Sequence, residues 1–179
     1  MSLEEERISE LRATAHPLRL QMLSLLTGAE LSAAEVAREL DITQANASYH
    51  LRFLEAAGLI VVAGEEKVRG GRAKKYRHPW DAREHSSAKV DETDMRHYVR
   101  VLADAMPMRF EGRQPGERVL STDADLWLEP AAWDRVVELV TEASTLMHAS
   151  ARPPRTEGTV RANLSVLAFR MTPESRGSR

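Results

Sequence analysis

Six residues close together carry side chains suited to reading a duplex. Thr43, Gln44, Ala45, Ser48, Tyr49 and Arg52 all lie off the apolar stripe Ala47, Leu51, Leu54 that runs through the same segment. A glutamine carboxamide such as Gln44 matches the paired donor and acceptor of adenine in the major groove. The Ala45 methyl suits a thymine methyl, and Arg52 suits guanine or a phosphate. The hydroxyls of Thr43, Ser48 and Tyr49 can donate to phosphate oxygens. Taken singly, each is an ordinary polar residue on a helix surface. A second group follows in KVRGGRAKKYR, where six basic residues and no acidic one fall between Lys67 and Arg77. Arg69 and Arg72 flank the glycines and should project furthest, with Lys67, Lys74 and Lys75 as backbone contacts. Unopposed positive charges repel one another, so a polyanion is the natural partner for such a run.

Positioning these groups requires particular elements, and the surrounding sequence predicts them. Leu3 to Thr14 has helical spacing, with Ile8 and Leu11 among charged residues. Pro17 suits the first turn of a second helix, which shows Leu18, Met22, Leu25 and Leu26 on one face and ends at Gly28. Ser32-Ala33-Ala34-Glu35 is a capping box that opens a third helix with Val36, Ala37 and Leu40 inward. Asp41-Ile42 makes a tight turn. Many such turns carry glycine, and aspartate tolerates the left-handed backbone better than most residues. Thr43 caps a fourth helix running to about Ala57, and Gly58 supplies its left-handed exit. Leu59 to Ala63 is β-like, Gly70-Gly71 turns, and Ala73 to His78 returns as a second strand. Three helices followed by a basic-tipped hairpin describe a winged helix-turn-helix, which places one helix in the major groove.

The remaining chain is less specific. Residues 84–106 read as an amphipathic helix through Val90, Met95, Tyr98, Leu102 and Met106. Pro107 to Gly116 reads as a loop, Val119 to Leu128 as a strand, and Pro130 opens a helix with Trp133, Val136, Val137, Val140 and Met147 on one face. Ala151 to Gly158 is a linker, Val160 to Met171 alternates as a strand, and the tail is polar and frayed. The expected class is mainly α with a small β component (α+β). Residues 1–82 form the winged helix-turn-helix, 83–106 a dimerisation helix, 107–171 a strand-helix-strand extension serving dimerisation or an effector, and 172–179 a disordered tail. Trp127 and Trp133 are candidate walls for a small-molecule effector, although a tryptophan at such spacing more often belongs to a core.

Composition narrows the function classes. The chain has 179 residues, 42% hydrophobic and 29% charged, with no cysteine. Disulfides and thiolate metal sites are excluded. Net charge is −2, so the basic run, not the whole molecule, sets the field that a phosphate would meet. MSLEEERISE is acidic and lacks a signal peptide's apolar region, and no apolar run reaches transmembrane length, so a cytoplasmic protein is expected. No phosphate loop, zinc-ligand spacing or nucleophile elbow occurs, and an enzyme is not expected. His50, beside the apolar stripe, reads as a satisfied, partly buried histidine, and Asp123 and Asp125 as a solvated edge. A winged helix can also serve as a protein-docking module, for which a neutral or apolar wing is expected.

The segments HPLRLQMLSLL, ELSAAEVARELDITQANASYHLRFLEAAGLI and GGRAKKYR resemble the ArsR/SmtB family of bacterial winged-helix repressors. Thr43-Gln44, Ser48, His50-Leu51 and Ala57-Gly58-Leu59-Ile60 stand at the family's motif positions, over roughly residues 8–80. The resemblance implies a homodimer joined through the first helix and the helix after the wing. It also implies a repressor that leaves a double-stranded operator when an inducer binds. Metal sensing does not carry over. Glu30 to Val36 lacks the cysteine pair, and His85 and His97 lack the acidic neighbours of the family's other metal pattern. No metal, cofactor or catalytic residue is expected.

Overall fold

The computed structural model describes residue 10 and residues 12–68, 71–82 and 92–172. Of the first expected helix, Leu3–Thr14, only Glu10 and residues 12–14 are described, and these are helical. α1 then spans Pro17–Gly28, with proline in its first turn. A two-residue strand, β1 (Leu31–Ser32), leads into α2 (Ala33–Leu40). α3 covers Gln44–Ala56, β2 Val61–Val68 and β3 Gly71–Arg77. A single 3-10 turn at Trp80–Ala82 precedes α4 (Glu92–Glu111), and α5 covers Pro130–Ala149. The sheet is antiparallel in the order β1-β3-β2, with an irregularity between Val62 and Gly64. This is a winged helix-turn-helix, as the sequence predicts.

Each local signal has its structural counterpart. Ser32 Oγ accepts from the Glu35 N–H at 3.4 Å, and Glu35 Oε2 accepts from the Ser32 N–H at 2.7 Å, closing the capping box. Asp41 takes the left-handed conformation with φ 52°, so α2 stops and Ile42 turns back on Ala37. Thr43 Oγ1 accepts from the Asn46 N–H at 3.2 Å and starts α3. Gly58, at φ +70°, ends it. The core closes over Met22, Leu26, Val36, Ala47, Leu51, Leu54 and Ile60, all essentially inaccessible. Small Ala37 and Ala47 are both buried where α2 packs on α3.

β1 was not foreseen, because two residues are too short to show periodicity. It pairs Leu31 with Tyr76 and Ser32 with Lys75, so the wing's inner strand is stitched to the residue that caps α2. Lys75 Nζ lies 2.6 Å from Glu35 Oε2 and 3.1 Å from Glu66 Oε2. Burial alone would raise the Glu35 carboxyl. Hydrogen bonds from Lys75 Nζ, the Ser32 N–H and the Ser32 hydroxyl outweigh it and hold the group at about 2.

The C-terminal third departs from expectation. α4 does not stop at residue 106 but runs through Pro107 to Glu111. An interior proline forfeits one helix hydrogen bond and costs about 3 kcal/mol. Here the carbonyl it frees belongs to exposed Ala103, within reach of water. The described part of α4 turns Asp94, Val101 and Ala105 inward, Arg12 Nε donates to Asp94 at 3.2 Å, and Met106 is exposed. Val119–Leu128 and Val160–Met171 are not strands. They have no regular structure, and among the described residues neither forms a backbone–backbone hydrogen bond. A strand requires a partner strand, and among the described residues neither segment pairs with one. Trp127 is 88% exposed, which overturns its core reading, while Trp133 is half-buried. Val90, His85 and residues 173–179 lie outside the described residues.

Glu35→Ala should lower stability by about 2 kcal/mol in denaturant titrations, by opening the capping box and stranding a mostly buried Lys75. Because the folded carboxyl sits at about 2 against an ordinary 4.5, its contribution is complete above 4.5 and lost as pH falls toward 2. The variant should therefore lose less stability than the parent across that window. Parallel curves would contradict the role assigned to Glu35.

Candidate nucleic-acid interface

α3 is fixed from behind and open in front. Ala47, His50, Leu51 and Leu54 are buried beneath it. Thr43, Gln44, Ala45, Tyr49 and Arg52 are exposed and Ser48 is half-buried. All six lie on one helix or at its cap, so the expected face exists as a surface. Asn46 is exposed with them and was missed. Its carboxamide carries the same adenine-matching chemistry as Gln44, so residue type alone pointed to it. The Thr43 oxygen accepts the capping bond, leaving its O–H free to donate outward. Arg52 Nε donates to the Ser48 carbonyl at 3.3 Å, which steers its guanidinium along the helix. Tyr49 is held edge-on to the His50 ring, with centroids 5.1 Å apart.

Behind this face lies a cluster the sequence did not suggest. The His16 and His50 rings meet at a tilt of 43° with centroids 4.6 Å apart. His16 Nδ1 accepts from the Leu18 N–H at 3.2 Å and caps α1. The Arg19 guanidinium lies over the Phe53 ring at 4.4 Å. His50 is 7% exposed, and its Nδ1 has no hydrogen-bond partner, so it is buried as expected but not satisfied. Burial lowers both imidazoles from their ordinary value, with His16 and then Arg19 adding to the effect on His50, and Arg19 to that on His16. A protonated His16 would also lose the acceptor that caps α1. The two imidazoles thus form a neutral plug between α1 and α3, with the Arg19 cation beside them.

The wing differs from the expected row of unopposed cations. Its partners come from segments that the basic run does not contain. Glu65 pairs with Arg72 at 3.0 Å, Glu55 with Lys74 at 3.3 Å, and Glu35 and Glu66 with Lys75. Bonding to Glu55 raises the Lys74 ammonium, and bonding to Glu35 raises that of Lys75. Hairpin register accounts for two of these pairs, since Glu65 stands opposite Lys74 and Glu66 opposite Ala73, each diagonal to the cation it meets, while Glu55 reaches Lys74 from α3. Lys75 is mostly buried and braces the wing against α2, whereas Lys67, Arg72 and Lys74 are exposed. Among the described residues, Lys67 and Arg77 make no ion pair. Arg69 lies outside the described residues.

The geometry therefore presents a helix surface of base-matching side chains beside a hairpin of partly compensated cations. Residues 14–63 match the family model of a helix-turn-helix domain. The protein carries a helix-turn-helix domain. The match spans α1 through the start of β2, which includes all six expected contacts of α3. It supports DNA-binding transcription regulation as the general role. Among curated proteins, none matches the chain. No described helix is long and apolar enough to cross a membrane. Among the described residues, no group of three or more histidine, aspartate or glutamate side chains is placed to hold a metal ion.

The neutral plug makes stability depend on pH. Both histidines resist protonation in the folded state, so their contribution is complete above pH 6.5 and lost as pH falls below it. His16→Asn keeps a capping acceptor that does not titrate. Thermal melts should show Tm falling less between about pH 7.5 and 5.5 in this variant than in the parent. An equal fall would contradict the plug.

Proposed function

We propose that this protein is a sequence-specific, DNA-binding transcriptional repressor of the ArsR/SmtB type. It acts as a homodimer on a double-stranded operator and lacks the family's thiolate metal sensor. The exposed face of α3, held on an inaccessible core, is the observation that carries the reading. Gln44 and Ala45 at the start of α3 read base edges, with Asn46 beside them. Arg52 holds guanine or a phosphate. Thr43, Ser48 and Tyr49 donate to phosphates and fix the register. Lys67, Arg69, Arg72 and Lys74 follow the flanking backbone, while Lys75 holds the wing in place for them. One helix reads only a few base pairs. Two copies a helical turn apart read a palindrome, which is the physical argument for the homodimer.

A second reading, a winged-helix docking module, is favoured by the acidic compensation of the wing. DNA binding at increasing salt separates the two. Arg69→Ala with Arg72→Ala should weaken binding to every duplex and reduce the salt slope by about one unit per lost phosphate contact. Glu65→Gln frees Arg72 and should strengthen binding to every duplex, most at low salt. Gln44→Ala should relax preference at one base position, at a cost of about 1–3 kcal/mol. No change in slope or preference across these variants would favour the docking module.

A further inference from the structure

The C-terminal arm, residues 117–172, is ordered into a helix yet buries almost nothing. α5 runs for 20 residues, yet none of them is buried. Leu120 is 84% exposed and Val160 88%, and Leu126, Leu128, Leu146, Val166 and Phe169 are exposed with them. An apolar surface of this extent marks an interaction site. The arm is nevertheless seated on its own domain. Arg155 Nη1 lies 2.7 Å from Glu39 of α2, and the Trp80 and His148 rings lie 5.5 Å apart. A Cβ on Gly28 would fall 2.6 Å from the Arg152 carbonyl oxygen, so only glycine lets the linker lie there.

The course of the arm is that of a β-α-β unit whose strands have not formed. Residues 119–128 lead into the start of α5. Residues 160–171 return toward that same end, where Arg170 lies 3.5 Å from Asp134, and Ser165 accepts from Arg109 of α4 at 3.0 Å. Both segments alternate as strands do. Leu120, Ala124, Leu126 and Leu128 share one side of the first, opposite Asp123 and Asp125. Their charges are complementary, because 119–128 contains only acidic ionisable residues and 160–171 only Arg161 and Arg170. Within one chain they make no backbone hydrogen bond to each other.

We infer that the arm is completed by a second copy of this chain, residues 119–128 of each copy pairing as a β-strand with residues 160–171 of the other. A second copy brings both the acidic and the basic segment, so each finds its complement twice across one twofold axis. The pairing satisfies backbone groups that the single chain leaves to water, and α5 then covers an intermolecular sheet. The inference rests on the homodimer proposed above and adds an arm-to-arm contact to the interface that the family resemblance implies. It also ties that interface, through Arg155 and Glu39, to the helix that positions α3.

Light scattering and amide hydrogen exchange on the full chain without DNA test it. A dimeric mass with slow exchange in both segments, lost on dilution to monomer, is the expected result. A dimer whose two segments exchange freely overturns the arm interface and leaves the homodimer standing. A monomer with free exchange overturns both and leaves the face to a different partner. A monomer with slow exchange shows pairing within one chain and overturns the inference. Charge reversal gives an independent readout. Asp123→Lys with Asp125→Lys should weaken self-association by about tenfold, and mixing this variant with Arg161→Glu should restore it. A mixture as weak as the reversed pair alone would overturn the pairing of 119–128 with 160–171.

Discussion

The Glu35 carboxylate is the interaction on which the rest of the DNA-facing architecture depends. It closes the N-terminus of α2 and grips Lys75 of the wing in one hydrogen-bonded unit. One side chain thereby joins the start of α2 to the hairpin. Two rigid elements are worth more than two mobile ones for recognition, because a groove and its flanking backbone must be met together. The β1–β3 ladder adds backbone bonds at the same place, with Ser32 standing opposite Lys75. The charge that makes the wing basic in sequence is thus partly spent on the wing's own placement.

That division explains what the sequence could and could not disclose. Capping boxes, left-handed exits and apolar stripes are local. Ser32–Glu35, Asp41, Thr43 and Gly58 therefore announced the helix-turn-helix, and Ala47, Leu51 and Leu54 announced its buried side. The exposed face of α3 followed from the same periodicity. Ion pairing across a hairpin is not local. Glu65 and Glu66 lie just before the basic run and Glu55 lies in α3, so only the folded arrangement of hairpin and helix shows that they meet Arg72, Lys75 and Lys74. The His16–His50 contact was hidden for the same reason, as one stands at the cap of α1 and the other in the middle of α3.

The arm shows another kind of illegibility. Alternation in 119–128 and 160–171 predicts strands that this chain does not form, because a strand is a relation between two segments. Sequence pattern reports the capacity to pair, not whether a partner lies within the same chain. Pro107 is a milder case, since the proline penalty is local while the exposure of the Ala103 carbonyl it frees depends on how α4 lies in the fold.

Sequence-specific reading by α3 is the central claim, and selection of the full chain against a pool of random DNA duplexes at near-physiological salt tests it most directly. The account predicts an enriched palindrome whose half-sites lie about one helical turn apart, or a multiple of it. Recovery of an unenriched pool, with only salt-sensitive binding common to all duplexes, would contradict it.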